Sequence, residues 1–381
     1  MKSKVFKVYS IYFVSMALFC VMRIASSLGF FSFAHVDVVD IVYTCLIQIG
    51  LMLVLPFMLY TAFVKDKPGV FGALKSAKLN QKICVKAILV SFGIGILAFF
   101  INIAVSTLFS GLLNFFGYTQ PVTNATPAAE PYVPMFSVGV EFAIQVLLVA
   151  VLPAFCEEFL HRGLLLNGTR QIGVRKAIFI TSLLFGLIHF NINQFFYAFV
   201  LGLLMGLVCV VTDSIYPSII IHFTNNAISV YLTYAELHGW AGANFYNYLN
   251  AFLQSTNAIL TFIACFAFLS LIVVLLVLFI AKLYKYKHLD GVKRKIDRAY
   301  SGGNISNSPI SAGSNKMIVD DMVESNTLLN LNYEEMKSPL DIVLPREQNV
   351  FKPKLEDNMF LISSLVLGGL ITIFTFIWGI L

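Results

Sequence analysis

Charge is what this sequence is short of. Only 12% of its 381 residues are Asp, Glu, Lys or Arg, against about 25% in a soluble globular domain. So few charges cannot cover a water-facing surface. With 58% hydrophobic residues and 36 phenylalanines, the chain belongs to the membrane class. Paired cysteines are missing as well. Cys20, Cys45, Cys84, Cys156, Cys209 and Cys265 are scattered, with no CxxC spacing, so they read as small core residues and not as disulfides or metal ligands. There is no HExxH and no internal repeat of fixed period. The first absence removes the usual helical zinc-protease signature. The second argues against the related halves of many transporters. The amino terminus, "MKSKVFK" ahead of an apolar run, has no small-x-small cleavage site and reads as an uncleaved first span.

What the sequence has is long apolar runs. Taking about 20 residues per span, they run from Val8 to Phe31, Val38 to Val64, Ala87 to Phe116, Ser137 to Leu166, Ala177 to Phe190, Phe195 to Val211, Ile215 to Tyr234 and Ala258 to Ala281. A last run, Met359 to Leu381, is long enough to cross once more. The spacing predicts an all-α, multi-pass transmembrane helical bundle of about eight core spans plus one C-terminal span. The fourth run contains Pro153 and is expected to tilt or kink there. Basic residues gather after spans two (Lys65 to Lys86), four (Arg170, Arg175, Lys176) and eight ("KLYKYKHLDGVKRKIDR"). Loops after spans one, three and seven carry few or none. With the amino terminus in the cytoplasm, every basic loop then falls on the cytoplasmic side. The net charge of +6 follows from that asymmetry, and no nucleic-acid partner is expected; the lipid bilayer is. The chain divides into N-terminal spans with a basic loop (1–136), a core (137–298), a disordered cytoplasmic linker (299–357) and a C-terminal segment (358–381).

Ionisable side chains inside spans are costly and mark candidate sites. They concentrate in spans four, five and seven. In "EEFLHR", Glu158 and Arg162 stand at i and i+4 and can pair. Glu157 lies about 100° around the helix, which leaves it free for proton work, with His161 four residues on to hold it. The bland alternative is a surface ion pair beside a solvated glutamate. "FGLIH" puts Phe185 and His189 on one face, and "HFTNN" does so for His222 and Asn226, with Asn225 directed elsewhere. Each taken alone also fits an interhelical hydrogen bond. At 1.5 Å per residue, Glu157, His189 and His222 lie roughly 14, 18 and 10 Å inside the same boundary, compatible with one cavity.

In that order the three segments match EExxxR, FxxxH and HxxxN, and the stretch from about Ser137 to Tyr234 resembles the CPBP family (Abi, or type II CAAX-protease, family) of intramembrane endopeptidases. The resemblance implies a peptidase. Glu157 would be the general base for a hydrolytic water and His189 would help bind that water. His222 and Asn226 would stabilise the oxyanion, supported by Glu158 and Arg162. It implies a peptide or the C-terminus of a protein as substrate, lipidated or not. A plasma membrane, bacterial by analogy with relatives in peptide maturation or bacteriocin immunity, is the expected location. A zinc ion on Glu157, His189 and His222 is left open as a cofactor. The rival class is a proton-coupled transporter or a non-catalytic membrane binding protein.

Overall fold

The computed structural model describes residues 3–30, 36–64, 85–118, 136–253, 263, 266–280 and 351–380. The lysine-rich loop after span two, most of the proline-rich loop before Ser137, the cluster after Ala281 and linker residues 299–350 lie outside them. Among the described residues the chain is helical and has no strand. The helices are α1 (Lys4–Ser27), α2 (Val38–Phe63), α3 (Val85–Phe115), α4 (Val138–Ile172), α5 (Val174–Leu187), α6 (Ile192–Thr212), α7 (Tyr216–His238), α8 (Phe245–Leu253), α9 (Phe266–Ile280) and α10 (Met359–Ile380). Among the described residues, six helical stretches are long and apolar enough to cross a membrane: α1, α2, α3, α4, α6 and the C-terminal stretch Leu355–Ile377 that contains most of α10. The protein is therefore a multi-pass membrane protein. The expected fifth span is only 14 residues. The seventh, α7, carries Ser218, Ser229, Thr233 and Glu236 as well as the polar groups of "HFTNN".

Two large apolar cores pack the described helices, beside a smaller third around Leu166, Ala177 and Ile215. One joins α1, α2, α4, α5 and the start of α10 through Val8, Tyr12, Met16, Met52, Phe159 and Leu187. The other joins α3, α6, α7 and α9 through Ile94, Ala98, Met205, Ile221 and Val277. Neither core reaches the outer faces, where Leu89, Leu108, Phe179 and Leu370 stand exposed. That is the inside-out economy of a helix bundle that lipid solvates.

The two helices nearest the site lack regular backbone. In α2, Leu46–Val54 is π-helical just ahead of Pro56. In α4, Val146–Val151 is π-helical just ahead of Pro153, and Phe159–Leu166 is π-helical after it. A proline has no N–H for the carbonyl four residues back. The i→i+5 register absorbs that missing bond and swings side chains out of the ordinary α-helical rotation. The expected irregularity at Pro153 is thus a pair of widened turns on either side of it.

The C-terminal helix is part of the body. Ser3 caps α1 by accepting from Phe6 N, and its hydroxyl donates to buried Asp357. Phe6 packs edge-on to Phe360 at 5.2 Å, so α1 and α10 start together. Phe351 N donates to Gln171 O at 2.8 Å, so residues 351–357, the expected end of the linker, are held against α4. Further along, Gly368 lets α10 close on α1 and α5: a Cβ there would lie 2.6 Å from Met16 Cε and 2.8 Å from Leu187 Cβ. Small residues at such crossings are how helices pack without a hydrophobic drive. Gly369 has nothing within 4 Å of its virtual Cβ. Gly368→Ala should therefore cost about 1–3 kcal/mol by overpacking, and Gly369→Ala should be neutral or slightly stabilising. Thermal unfolding of both variants in detergent checks the contrast.

Candidate active site

A polar layer is built around one ring. Phe185, 1% exposed, meets His161, His189 and His222 edge to face, with centroids 5.0, 5.2 and 5.7 Å away and interplanar angles of 87°, 79° and 89°. The guanidinium of Arg162 lies over the same ring, 4.5 Å from its centroid. The negative face of the ring suits the cation, and perpendicular ring contacts are the favoured aromatic geometry. A single apolar side chain of α5 thus sets the spacing of polar groups from α4, α5 and α7. The three expected segments do come together around this ring.

The two glutamates are separated as helix geometry requires. Glu158 is fully buried and its Oε1 accepts from Arg162 Nη1 at 2.7 Å. The same oxygen faces His222 Nδ1 at 3.2 Å. Because a carboxylate only accepts, His222 is the donor there. Arg162, also fully buried, gives Nη2 to Gly202 O at 3.0 Å. That approach depends on glycine: a Cβ at residue 202 would meet Ser182 at 3.1 Å and Arg162 Nη2 at 3.4 Å. The ion pair itself is therefore buried and not a solvated surface contact.

Glu157 is only half-buried, and it is not free. Gln48 of α2 donates Nε2 to its Oε1 at 2.8 Å. The expectation that His161 holds the Glu157 side chain is not met. His161 Nδ1 instead donates to the backbone carbonyl of Glu157 at 2.8 Å, and its Nε2 lies 3.4 Å from Tyr12 Oη. The physical reason is local: in the widened turn the ring folds back on its own helix, and α1 seals it there. His189 Nδ1 donates to Phe185 O at 2.7 Å. Its proton is thereby assigned to Nδ1, and Nε2 is left as a lone-pair nitrogen on a half-buried side chain. Both Glu157 and His222 lie within Coulombic range of it.

Asn226 donates Nδ2 to Val149 O at 2.9 Å. Val149 is the carbonyl that Pro153 leaves without its α-helical donor, so the proline in α4 explains the asparagine in α7. Asn225 was expected to point away. It instead gives Nδ2 to Asn226 Oδ1 at 2.9 Å and accepts from Asn102 of α3 at 2.6 Å. The chain Asn102, Asn225, Asn226, Val149 uses the side-chain oxygens of Asn225 and Asn226, and leaves Asn226 one N–H to offer. Adjacent residues on a helix diverge by about 100°, but two long amides can still meet across that angle.

Sequence reasoning did not find Gln48, Tyr12 or Asn102. Each is a polar residue in an apolar span, which is itself the signal available. Among the described residues, no three His, Cys, Asp or Glu side chains are grouped to hold a metal ion. Of the set left open for zinc, Glu157 Oε1 is on Gln48 and His222 Nδ1 is on Glu158. That leaves Glu157 Oε2 and the Nε2 atoms of His189 and His222, which would be the atoms to hold such an ion, each ring anchored through its Nδ1–H.

The buried ion pair makes a stability prediction. Arg162→Met leaves Glu158 charged and sealed and should cost about 3–5 kcal/mol. Adding Glu158→Gln should recover part of that loss, because the uncompensated charge goes with it. Unfolding midpoints of the single and double variants measure the difference.

Residues 139–228 match the family model described as type II CAAX prenyl endopeptidase Rce1-like. The match begins in α4, ends in α7 and contains all three motif segments. Neither the curated proteins nor the solved structures yield a match to the chain.

Proposed function

We propose, from the match of residues 139–228 to that family model, that this protein is an intramembrane endopeptidase in which Glu157 activates the attacking water. The observation that carries the reading is the unequal treatment of two adjacent glutamates. Glu158 is sealed and neutralised by Arg162, while Glu157 is half-buried and oriented by Gln48. A general base must be reachable by water and held in direction. Only one of the two carboxylates meets that requirement.

The steps follow from the donor inventory. Glu157 takes a proton from a water that attacks the peptide carbonyl, and His189 Nε2 accepts the water's other hydrogen and orients it. The tetrahedral oxyanion is met by the remaining N–H of Asn226, whose amide is already fixed at Val149 O. His222 is a second donor through Nε2 when both ring nitrogens are protonated, its Nδ1 being held by Glu158. The proton on Glu157 then passes to the leaving amine as the C–N bond breaks. Glu158, Arg162 and Phe185 act by fixing these groups in place. No step is routed through a metal.

The substrate is a peptide segment or protein C-terminus, and the word "prenyl" in the family description supports a lipidated one. The basic loops support a cytoplasmic amino terminus and a cavity served from that side. A bacterial plasma membrane and a role in peptide maturation or immunity complete the reading.

In a cleavage assay on the purified protein with an internally quenched prenylated peptide, Glu157→Ala and His189→Ala should each lower kcat by about 100-fold or more with unchanged unfolding midpoints. Full activity in Glu157→Ala would remove it as the base. Activity surviving a strong chelator is the expected result, and its loss, restored by zinc, would overturn the metal-free route.

A further inference from the structure

Gln48 is the one amide or charged residue between Ile41 and Phe63 of α2. It lies outside the matched domain, in the π-helical stretch ahead of Pro56. Such stretches recur at functional sites because they redirect side chains. Gln48 is 9% exposed. Its amide nitrogen must face Glu157, since a carboxylate can only accept. That fixes the other end of the amide. Gln48 Oε1 is a buried acceptor beside the proposed base, and among the described residues it has no hydrogen-bond partner. Buried acceptors are nearly always satisfied, and one left open next to reacting groups calls for an explanation.

An open acceptor selects a donor. A substrate carboxylate would be repelled by it, and an apolar group would leave it unpaired. An extended peptide offers a backbone N–H within a residue of the carbonyl under attack. We propose that Gln48 is a substrate-binding residue whose Oε1 accepts one backbone N–H next to the scissile bond while its Nε2 holds Glu157. One amide then ties the position of the peptide to the position of the base. It also defines a substrate class: peptides carrying an N–H at that position, with proline and N-methyl residues excluded there. The inference rests on the endopeptidase reading for what Glu157 does, but the recognition of an N–H can be read without it.

The test uses the full chain in detergent and one labelled prenylated peptide, N-methylated at each position in turn. Binding and cleavage are read on the same samples for the wild type and for Gln48→Met. Methionine keeps length and volume and removes both polar atoms, and an unchanged unfolding midpoint confirms that the variant is folded. In the wild type, N-methylation at one position should raise Kd by about tenfold, the scale of one hydrogen bond. Gln48→Met should bind the unmodified peptide about tenfold more weakly and lose nothing further at that same position. A merely structural glutamine would weaken all peptides equally, and unchanged N-methyl penalties at every position in Gln48→Met overturn the proposal. Coupling in Kd without any cleavage would support Gln48 and overturn the peptidase reading. Cleavage with additive penalties would do the reverse, and a wild type that binds no peptide overturns both.

Discussion

Everything in this site hangs on a guanidinium with no access to water. Arg162 is fully buried, and a buried cation must have its charge and its N–H groups answered within the protein. Among the described residues Nε has no hydrogen-bond partner, but the charge and both terminal nitrogens are answered from three directions. Glu158 supplies the counter-charge one turn back on α4, Gly202 supplies a carbonyl from α6, and Phe185 supplies a ring face from α5. Satisfying Arg162 therefore draws three helices to one point. The ring that receives the cation is also the one against which the three histidines are set, so a structural requirement positions the chemical groups.

Backbone irregularity is the second half of the construction. Prolines in α2 and α4 each follow a π-helical stretch, and each stretch delivers something to the polar layer. From α2 comes Gln48, and from α4 comes the carbonyl of Val149 that anchors Asn226. In hydrocarbon a freed carbonyl is expensive, so non-helical backbone bonding persists only where protein groups answer it. Here the answering group is the amide expected to meet the oxyanion. The cost of the proline and the orientation of the donor are one feature seen from two helices.

The sequence made much of this legible, and its omissions have a common cause. Glu158 with Arg162, Phe185 with His189, and His222 with Asn226 are spaced by one helical turn, so local geometry alone predicts their shared faces, and all three segments do meet. Gln48, Tyr12 and Asn102 have no partner within a turn. Their partners lie 109, 149 and 123 residues away, and no periodicity encodes a contact of that range. Asn225 fails for a subtler reason. The 100° rule assigns a direction to the Cβ, but an amide at the end of two further bonds can come back to its neighbour. His161 likewise follows the widened turn it sits in, which spacing by 3.6 cannot anticipate.

Those long-range partners change where the functional unit ends. The matched region, residues 139–228, contains every group assigned to bond breaking. Yet the proposed base is oriented from α2, His161 is closed in from α1, and the asparagine chain starts on α3. The helix that carries Phe185 is packed by α10 at Leu187, two residues before His189. A preorganised site needs its supporting shell at sub-ångström tolerance. The surrounding spans are therefore not a membrane anchor for a self-sufficient core. They supply the constraints that make one of two neighbouring carboxylates a buried counter-ion and leave the other, the proposed base, half-buried and oriented.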